Sequence, residues 1–171
     1  MTEQIVNWFV ELFGNKIPEE LTVFIISMIP ILELRGGIIA AKLLGMNLYI
    51  AYPICVIGNI LPIPFVLLFI RKIFNFLKKT KLFAKIITKL DERTRKKANS
   101  KSMQKYKEWG LFLFVAIPLP GTGAYTGALV ADILDVRIKK SFPIISLGVI
   151  TAGIITALIA YGIPALISLI G

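Results

Sequence analysis

The polar residues at the start of the chain recur every four positions. Glu3, Asn7 and Glu11 lie on one helical stripe, and apolar residues fill most of the other positions from 3 to 14. An apolar face opposite a polar stripe predicts an amphipathic helix, and 12 residues are too few to span a bilayer. We therefore expect residues 3–14 to lie at the membrane interface.

Two of the later apolar blocks are long and four are short. The long blocks, 48–76 and 141–170, can each cross a bilayer, which takes about 20 apolar residues. Prolines inside the first of them predict kinks rather than a failure to insert, because neighbouring helices can bond the freed backbone groups. Each short block can cross only part of the membrane; these blocks are 21–32, 38–44, 111–119 and 124–134.

The short blocks come in pairs, and breaker residues interrupt each pair. Pro30, Glu33, Arg35 and Gly-Gly at 36–37 interrupt the first pair, and Pro-Leu-Pro-Gly-Thr-Gly at 118–123 interrupts the second. A charge at bilayer depth costs about 2.5 to 3.5 kcal/mol, so it normally faces a partner or a wet cavity. We predict that each pair is a re-entrant hairpin with a polar tip. The alternative is a kinked helix with both charges near the headgroups.

Composition favours a membrane protein without a cofactor. Of the 171 residues, 56% are hydrophobic and the mean hydropathy is +0.78, which predicts a polytopic, all-α protein with one membrane domain, 1–171. The chain has no histidine and a single cysteine, Cys55, so we expect no transition-metal site. Nothing resembles a nucleophile and its base, so we do not expect an enzyme.

Positive charge is concentrated in the middle of the chain. Of the 20 Lys and Arg residues, 14 lie between Arg71 and Lys107, and the net charge is +10. Beside long apolar segments, the positive-inside rule explains such a block better than nucleic-acid binding does. We expect 71–107 in the cytoplasm, with a basic surface helix in 78–107 that contacts anionic lipid.

A weak internal repeat divides the chain into segments 3–77 and 108–171. Between residues 37 and 58, six positions are identical to those 90 residues later, and half of them are glycines or prolines, which set backbone shape. If each hairpin enters and leaves on one side, each repeat crosses once and the second is inverted relative to the first. Both termini then lie outside. The matched pairs are Gly37/Gly127, Ala41/Ala131, Leu44/Leu134, Pro53/Pro143, Ile54/Ile144 and Gly58/Gly148.

Two motifs resemble a known family over nearly the whole chain. Ile-Pro-Ile-Leu-Glu-Leu-Arg-Gly-Gly-Ile at 29–38 and Pro-Leu-Pro-Gly-Thr-Gly-Ala-Tyr-Thr-Gly at 118–127 resemble the family labelled putative small multidrug export proteins. That family is similar to the DedA superfamily, which includes eukaryotic lipid scramblases. The resemblance implies two facing re-entrant hairpins and a role in moving phospholipids or recycling undecaprenyl phosphate, with proton coupling as an option.

The resemblance also implies functional positions. In DedA proteins these are an acidic residue in the first hairpin and arginines in the second. Glu33 matches the acidic position. The second hairpin here carries Thr122, Tyr125 and Thr126 but no arginine, and Arg35 of the first hairpin supplies the guanidinium instead. The phosphate site of DedA proteins therefore does not carry over directly.

The residue types at the two tips predict an anion site. Arg35 offers a planar fork suited to phosphate or carboxylate, and backbone amides at two facing helix N-termini would add donors. Glu33 could pair with Arg35 and take up a proton when substrate displaces it, because desolvation favours the neutral carboxyl. The predicted substrate-binding residues are Glu33, Arg35, Gly36, Gly37, Gly121, Thr122, Gly123, Tyr125 and Thr126.

Three polar residues outside the tips have more than one interpretation. Lys42 and Asp132 occupy equivalent places in the repeat, where they could form a salt bridge or serve opposite mouths of a pathway, with Asp132 as a second proton-coupling group. Snorkelling or a structural pair is the simpler explanation. Asn59 in the first long block is expected to hydrogen-bond across helices or to contact substrate.

Three functions remain open from the sequence. The first is a transporter of a lipid phosphate, either polyprenyl phosphate or a phospholipid. The second is an exporter of cationic small molecules that uses Glu33 as the binding acid. The third is a membrane scaffold. A chain with so few crossings could also form a homodimer to enclose a pathway.

Overall fold

The computed structural model describes residues 2–13, 17–78, 101–119 and 121–163, and these are helical with no strand among them. Most of the predicted basic helix in 78–107 lies outside the described residues, as does the end of the last apolar block. The helices are α1 (Thr2–Phe13), α2 (Glu19–Met28), α3 (Glu33–Leu43), α4 (Leu48–Ile60), α5 (Ile63–Lys78), α6 (Lys101–Ala116), α7 (Ala124–Ile133) and α8 (Ile138–Ala157), which continues into a π-helical turn, Leu158–Gly162.

Two stretches are long and apolar enough to cross a membrane. They are Leu48–Ile70, with 23 residues, and Ile138–Gly162, with 25 residues, each with a mean hydropathy of 2.3. The first spans α4 and the start of α5, across a turn at 61–62. At about 1.5 Å per residue, these stretches exceed the ~30 Å of a bilayer's hydrocarbon core. By the same measure α2, α3 and α7 reach only about half of that thickness.

Some of the shorter helices begin and end close to the predicted positions, and others do not. Helix α1 covers the predicted amphipathic helix to within one residue at each end, and it buries Val6 while Trp8 stays 55% exposed. The first pair of short blocks forms α2 and α3 with a break at 29–32, where Pro30 lies. The prediction that Arg35, Gly36 and Gly37 interrupt the pair was wrong, because α3 begins at Glu33 and includes all three. Helix α6 begins at Lys101, so it runs continuously through the boundary that the repeat placed between residues 107 and 108.

The turns that follow α3 and α7 have the same geometry. Gly45 ends α3 with φ +73°, and Asp135, 90 residues later, ends α7 with φ +53°. In both turns the next residue's amide returns to a carbonyl five residues earlier, from Met46 to Ala41 and from Val136 to Ala131, each at 2.9 Å. This is the αL helix stop, which glycine adopts at no steric cost and aspartate adopts less readily.

The long helices pack on the short ones through glycine in both halves. A Cβ on Gly58 of α4 would lie 2.8 Å from the carbonyl oxygen of Phe24 in α2. A Cβ on Gly148 of α8 would lie 3.3 Å from the carbonyl oxygen of Phe112 in α6 and 2.7 Å from Cβ of Val115. Small residues let two helix backbones approach this closely. The same interface therefore recurs in both halves of the chain.

Filling either interface should destabilise the fold. We expect Gly58→Ala and Gly148→Ala each to lower the free energy of unfolding by about 1 to 3 kcal/mol, because the added methyl group forces the helices apart. Melting temperatures in detergent measure the effect. Gly110→Ala is the matched control, since its Cβ would meet no atom within 4 Å. Equal melting temperatures for all three variants would contradict the close packing.

Candidate functional site

The first helix break ends in a residue with unusual backbone geometry. Ile29 leaves the helical conformation after α2, and its carbonyl accepts the amides of Leu32 at 3.1 Å and Glu33 at 2.8 Å. Glu33 itself has φ +53°, in the left-handed region, which costs a non-glycine residue about 1 to 2 kcal/mol. Strain of this kind is concentrated at functional sites. The break therefore sets the direction of the Glu33 side chain, and the backbone of Glu33 is strained as a result.

The Glu33 carboxylate lies at the start of α7. Its Oε1 accepts a hydrogen bond from the amide of Tyr125 at 3.4 Å. Gly123 leaves room for this contact, because a Cβ there would overlap the carboxylate. Unpaired amides and the helix dipole make a helix N-terminus attractive to anions. Glu33 therefore occupies an anion position formed by the second half of the chain.

Arg35 binds the loop that precedes α7. Its guanidinium donates to the carbonyl oxygens of Leu119 and Thr122, and at 3.2 Å to Oγ1 of Thr122. The loop is held in shape by the same hydroxyl, which donates to the carbonyl of Ile117 at 2.7 Å and accepts the amide of Leu119 at 3.1 Å. The Arg35 side chain thus holds the loop by the loop's own backbone carbonyls.

Tyr125 makes the reciprocal contact from the second half. Its hydroxyl donates to the carbonyl oxygen of Met28, at the end of α2. Tyr125 follows Arg35 by 90 residues, so the two occupy equivalent positions in the repeat. Tyr125 bonds a carbonyl at the end of α2, and Arg35 bonds a carbonyl just after α6. Within the described residues, Glu33 and Arg35 do not form the direct ion pair that the sequence suggested. Each contacts the opposite half instead.

The paired glycines of α3 serve packing in this conformation. The amide of Gly36 donates to the carbonyl of Leu32 at 2.9 Å, as in an ordinary helix. A Cβ on Gly37 would lie 2.9 Å from Sγ of buried Cys55 in α4. Neither glycine presents its amide to the anion position. In the second half, Gly121 adopts φ +84°, and the Thr126 hydroxyl accepts the amide of Gly123 at 2.9 Å.

A small cavity lies beside the two charged groups. It has a volume of about 10 Å³, and Glu33, Arg35 and Asn59 supply its polar side chains. Asn59 is 2% exposed, and its Oδ1 has no hydrogen-bond partner. The remaining lining residues are Leu34, Val115, Gly123, Ala124, Val149 and Ala152.

Lys42 and Asp132 lie away from this cluster. The ammonium group of Lys42 donates to the carbonyl oxygen of Ala160, in the π-helical turn after α8. Asp132 is eight residues beyond Ala124 on α7, or about 12 Å along the helix from the Glu33 contact. Lys42 thus has a backbone partner. Neither residue joins the site around Glu33 and Arg35.

The acidic and sulfur-containing residues of the described segments offer no metal centre. No group of three or more His, Cys, Asp or Glu residues comes together in those segments. The Arg35 guanidinium lines the same cavity as Glu33, and its positive charge disfavours a cation there. The cluster is instead suited to an anion or to a neutral polar group.

Residues 33–155 match the protein family described as putative small multi-drug export protein. The chain belongs to this family. Together with its two long apolar stretches, membership of the small multi-drug export family identifies a membrane protein of transport type. The match begins at Glu33 and includes every predicted site residue. No curated protein and no solved structure matches the chain.

Sequence reasoning missed two features of the site in this export-family protein. The carbonyl groups of Leu119 and Met28, which bond Arg35 and Tyr125, carry no sequence signal because every residue has a carbonyl. Val149 lines the same cavity as Asn59, and the offset of 90 residues could have found it, since 59 and 149 are equivalent positions.

Proposed function

We propose that this protein transports a membrane lipid that carries a phosphate group, either polyprenyl phosphate or a phospholipid, and that the phosphate replaces the Glu33 carboxylate at the start of α7. The observation that carries the proposal is the contact of this carboxylate with the amide of Tyr125. A helix N-terminus that holds a carboxylate can hold a phosphate by the same amides and dipole. Glu33 then acts as an internal substitute for the substrate anion.

Arg35 would take part in the exchange. In the described conformation it bonds two backbone carbonyls of the loop before α7, which are neutral acceptors. A guanidinium binds a phosphate more strongly than it binds a neutral carbonyl, because the bond is charge-assisted on both sides. A phosphate that approaches the start of α7 would therefore compete for Arg35 and release the loop.

Proton coupling follows from the displaced carboxylate. Once a phosphate occupies the α7 start, Glu33 lies beside a second anion in an apolar environment. Both the neighbouring negative charge and the loss of water favour the protonated carboxyl. Substrate binding would thus be linked to the uptake of one proton by Glu33. Asp132 is an acidic group on α7 itself and would serve a second proton step about 12 Å away.

The proposed topology is an inverted repeat. The equivalent turns after α3 and α7, and the equivalent glycine contacts of α4 and α8, support two copies of one unit. Each copy would consist of a re-entrant hairpin and one kinked spanning helix, with 71–107 in the cytoplasm and both termini outside. Anionic lipid would contact the basic segment, and a homodimer would enclose the pathway.

Glu33→Gln tests the proton step. We expect purified wild type in liposomes to translocate a fluorescent polyprenyl phosphate at a rate that changes with pH, and Glu33→Gln to give a rate that does not, because the amide cannot titrate. Glu19→Gln is the matched control, since Glu19 is exposed at the start of α2. If Glu33→Gln and wild type have the same pH profile, the proposed role of Glu33 in proton coupling is contradicted.

Export of small cationic molecules is the second candidate, and the description of the family favours it. In that case Glu33 would bind the cation directly, and Arg35 would hold the loop without touching substrate. Liposomes loaded with a fluorescent organic cation distinguish the two functions. Cation efflux without lipid translocation would select export, and lipid translocation without cation efflux would select the lipid phosphate.

A further inference from the structure

Asn59 is a buried polar residue whose acceptor is unused by the protein. It lies in α4 with 2% of its surface exposed, and Oδ1 makes no hydrogen bond. A buried carbonyl without a partner costs about 1 to 3 kcal/mol. Val149, at the equivalent position in the second half, is apolar and needs no such partner. The amide therefore indicates that something in the cavity donates a hydrogen bond.

The size and chemistry of the cavity restrict what that donor is. Its volume is about 10 Å³, which is about the room that one water molecule needs. The lining offers two acceptors, Asn59 Oδ1 and the Glu33 carboxylate, and one donor group, the Arg35 guanidinium. A buried water makes about three hydrogen bonds. A hard cation would need about six oxygen ligands and would face the guanidinium.

We propose that this cavity is a binding site for a single water molecule, which donates to Asn59 and Glu33 and accepts from Arg35. The water links α4 to Glu33 and Arg35 of α3. Asn59 therefore positions the Glu33 carboxylate through the water. The proposal concerns the conformation described above and holds for either candidate substrate. A failure of lipid transport would leave it standing, because its test measures stability.

Asn59→Leu gives opposite results for a hydrated and a dry cavity. Leucine has nearly the shape of asparagine but needs no hydrogen bond. With a bound water, the variant loses one of the water's partners, and we expect the melting temperature to fall by about 3 °C or more. In a dry cavity the variant would remove an unpaired buried amide, and the melting temperature would rise or stay the same, which would overturn the proposal.

Ala152→Val provides a second test that leaves every polar atom in place. Ala152 lines the cavity from α8, so two added methyl groups would take the space of the water. Expelling the water leaves Asn59 unpaired, and we expect a lower melting temperature. Filling a dry cavity would instead raise it, and that result would overturn the proposal even if Asn59→Leu were less stable for another reason.

Salt identity separates water from a bound cation. We expect equal concentrations of sodium, potassium and choline chloride to give the same melting temperature of the wild type, because water binding does not depend on the cation. A melting temperature that rises only with sodium chloride would assign the cavity to that ion and refute the water site.

Discussion

Arg35→Ala should abolish transport and loosen the contact between the two halves of the chain. The variant removes the donors that bond the carbonyl groups of Leu119 and Thr122. The Leu119 carbonyl keeps the amide and the hydroxyl of Thr122 as donors, so the main loss is at the part-buried carbonyl of Thr122. Loss of a hydrogen bond from a charged donor costs about 1.5 to 3 kcal/mol, and the proposed phosphate ligand is lost as well. We expect translocation of polyprenyl phosphate in liposomes to fall at least about tenfold, with a lower melting temperature.

Arg35→Lys separates charge from shape. Lysine keeps the positive charge but cannot bond two carbonyls with a planar fork. We expect it to restore part of the melting temperature and little of the transport. Lys72→Ala, a change of an exposed basic residue on α5, should leave both unchanged. Full transport by Arg35→Ala would remove Arg35 from the mechanism and leave it as a structural contact.

Gly123→Ala should displace the Glu33 carboxylate from the start of α7. The new Cβ would overlap both carboxylate oxygens, and the neighbouring backbone cannot yield easily because Arg35 and Thr126 hold it on both sides. Overpacking of this kind costs about 1 to 3 kcal/mol. We expect a lower melting temperature and loss of the pH-dependent component of transport.

Shortening Glu33 should relieve the effect of Gly123→Ala. In a double-mutant cycle, Glu33→Ala removes the atoms that the new methyl group meets, whereas Glu33→Gln keeps a side chain of the same size. We expect Gly123→Ala to cost less in the Glu33→Ala background than in the Glu33→Gln background, by about 0.5 to 3 kcal/mol. Equal costs in both backgrounds would contradict the observed contact between Gly123 and Glu33.

The helices were largely predictable because their boundaries depend on local chemistry. Pro30 and the following turn end α2, Gly45 ends α3, and the polar stripe of 3–14 marks α1. The continuity of α6 from Lys101 through residue 107 was missed, because a helix on the membrane surface and one that enters the apolar layer differ in polarity but have the same backbone. Polarity set the predicted boundary at 107, and the helix continues through it.

The sequence named the residues that meet around Glu33 and Arg35 but not their pairings. Charge at bilayer depth pointed to Glu33 and Arg35, and the breaker cluster pointed to Thr122, Gly123 and Tyr125. Their partners depend on how two segments about 90 residues apart meet, and a repeat of six identities does not determine that. The expected ion pair between Glu33 and Arg35 was reasonable from spacing alone, but facing backbone groups offered both side chains better partners.

The distance along the chain between Arg35 and its acceptor affects how the protein is made. Leu119 follows Arg35 by 84 residues, so at about 5 to 20 residues per second the ribosome needs about 4 to 17 seconds to supply it. During that interval the first half already contains a guanidinium and a carboxylate whose partners have not been synthesised. Until those partners are synthesised, water, the insertion machinery or the opposite charge must stabilise both groups.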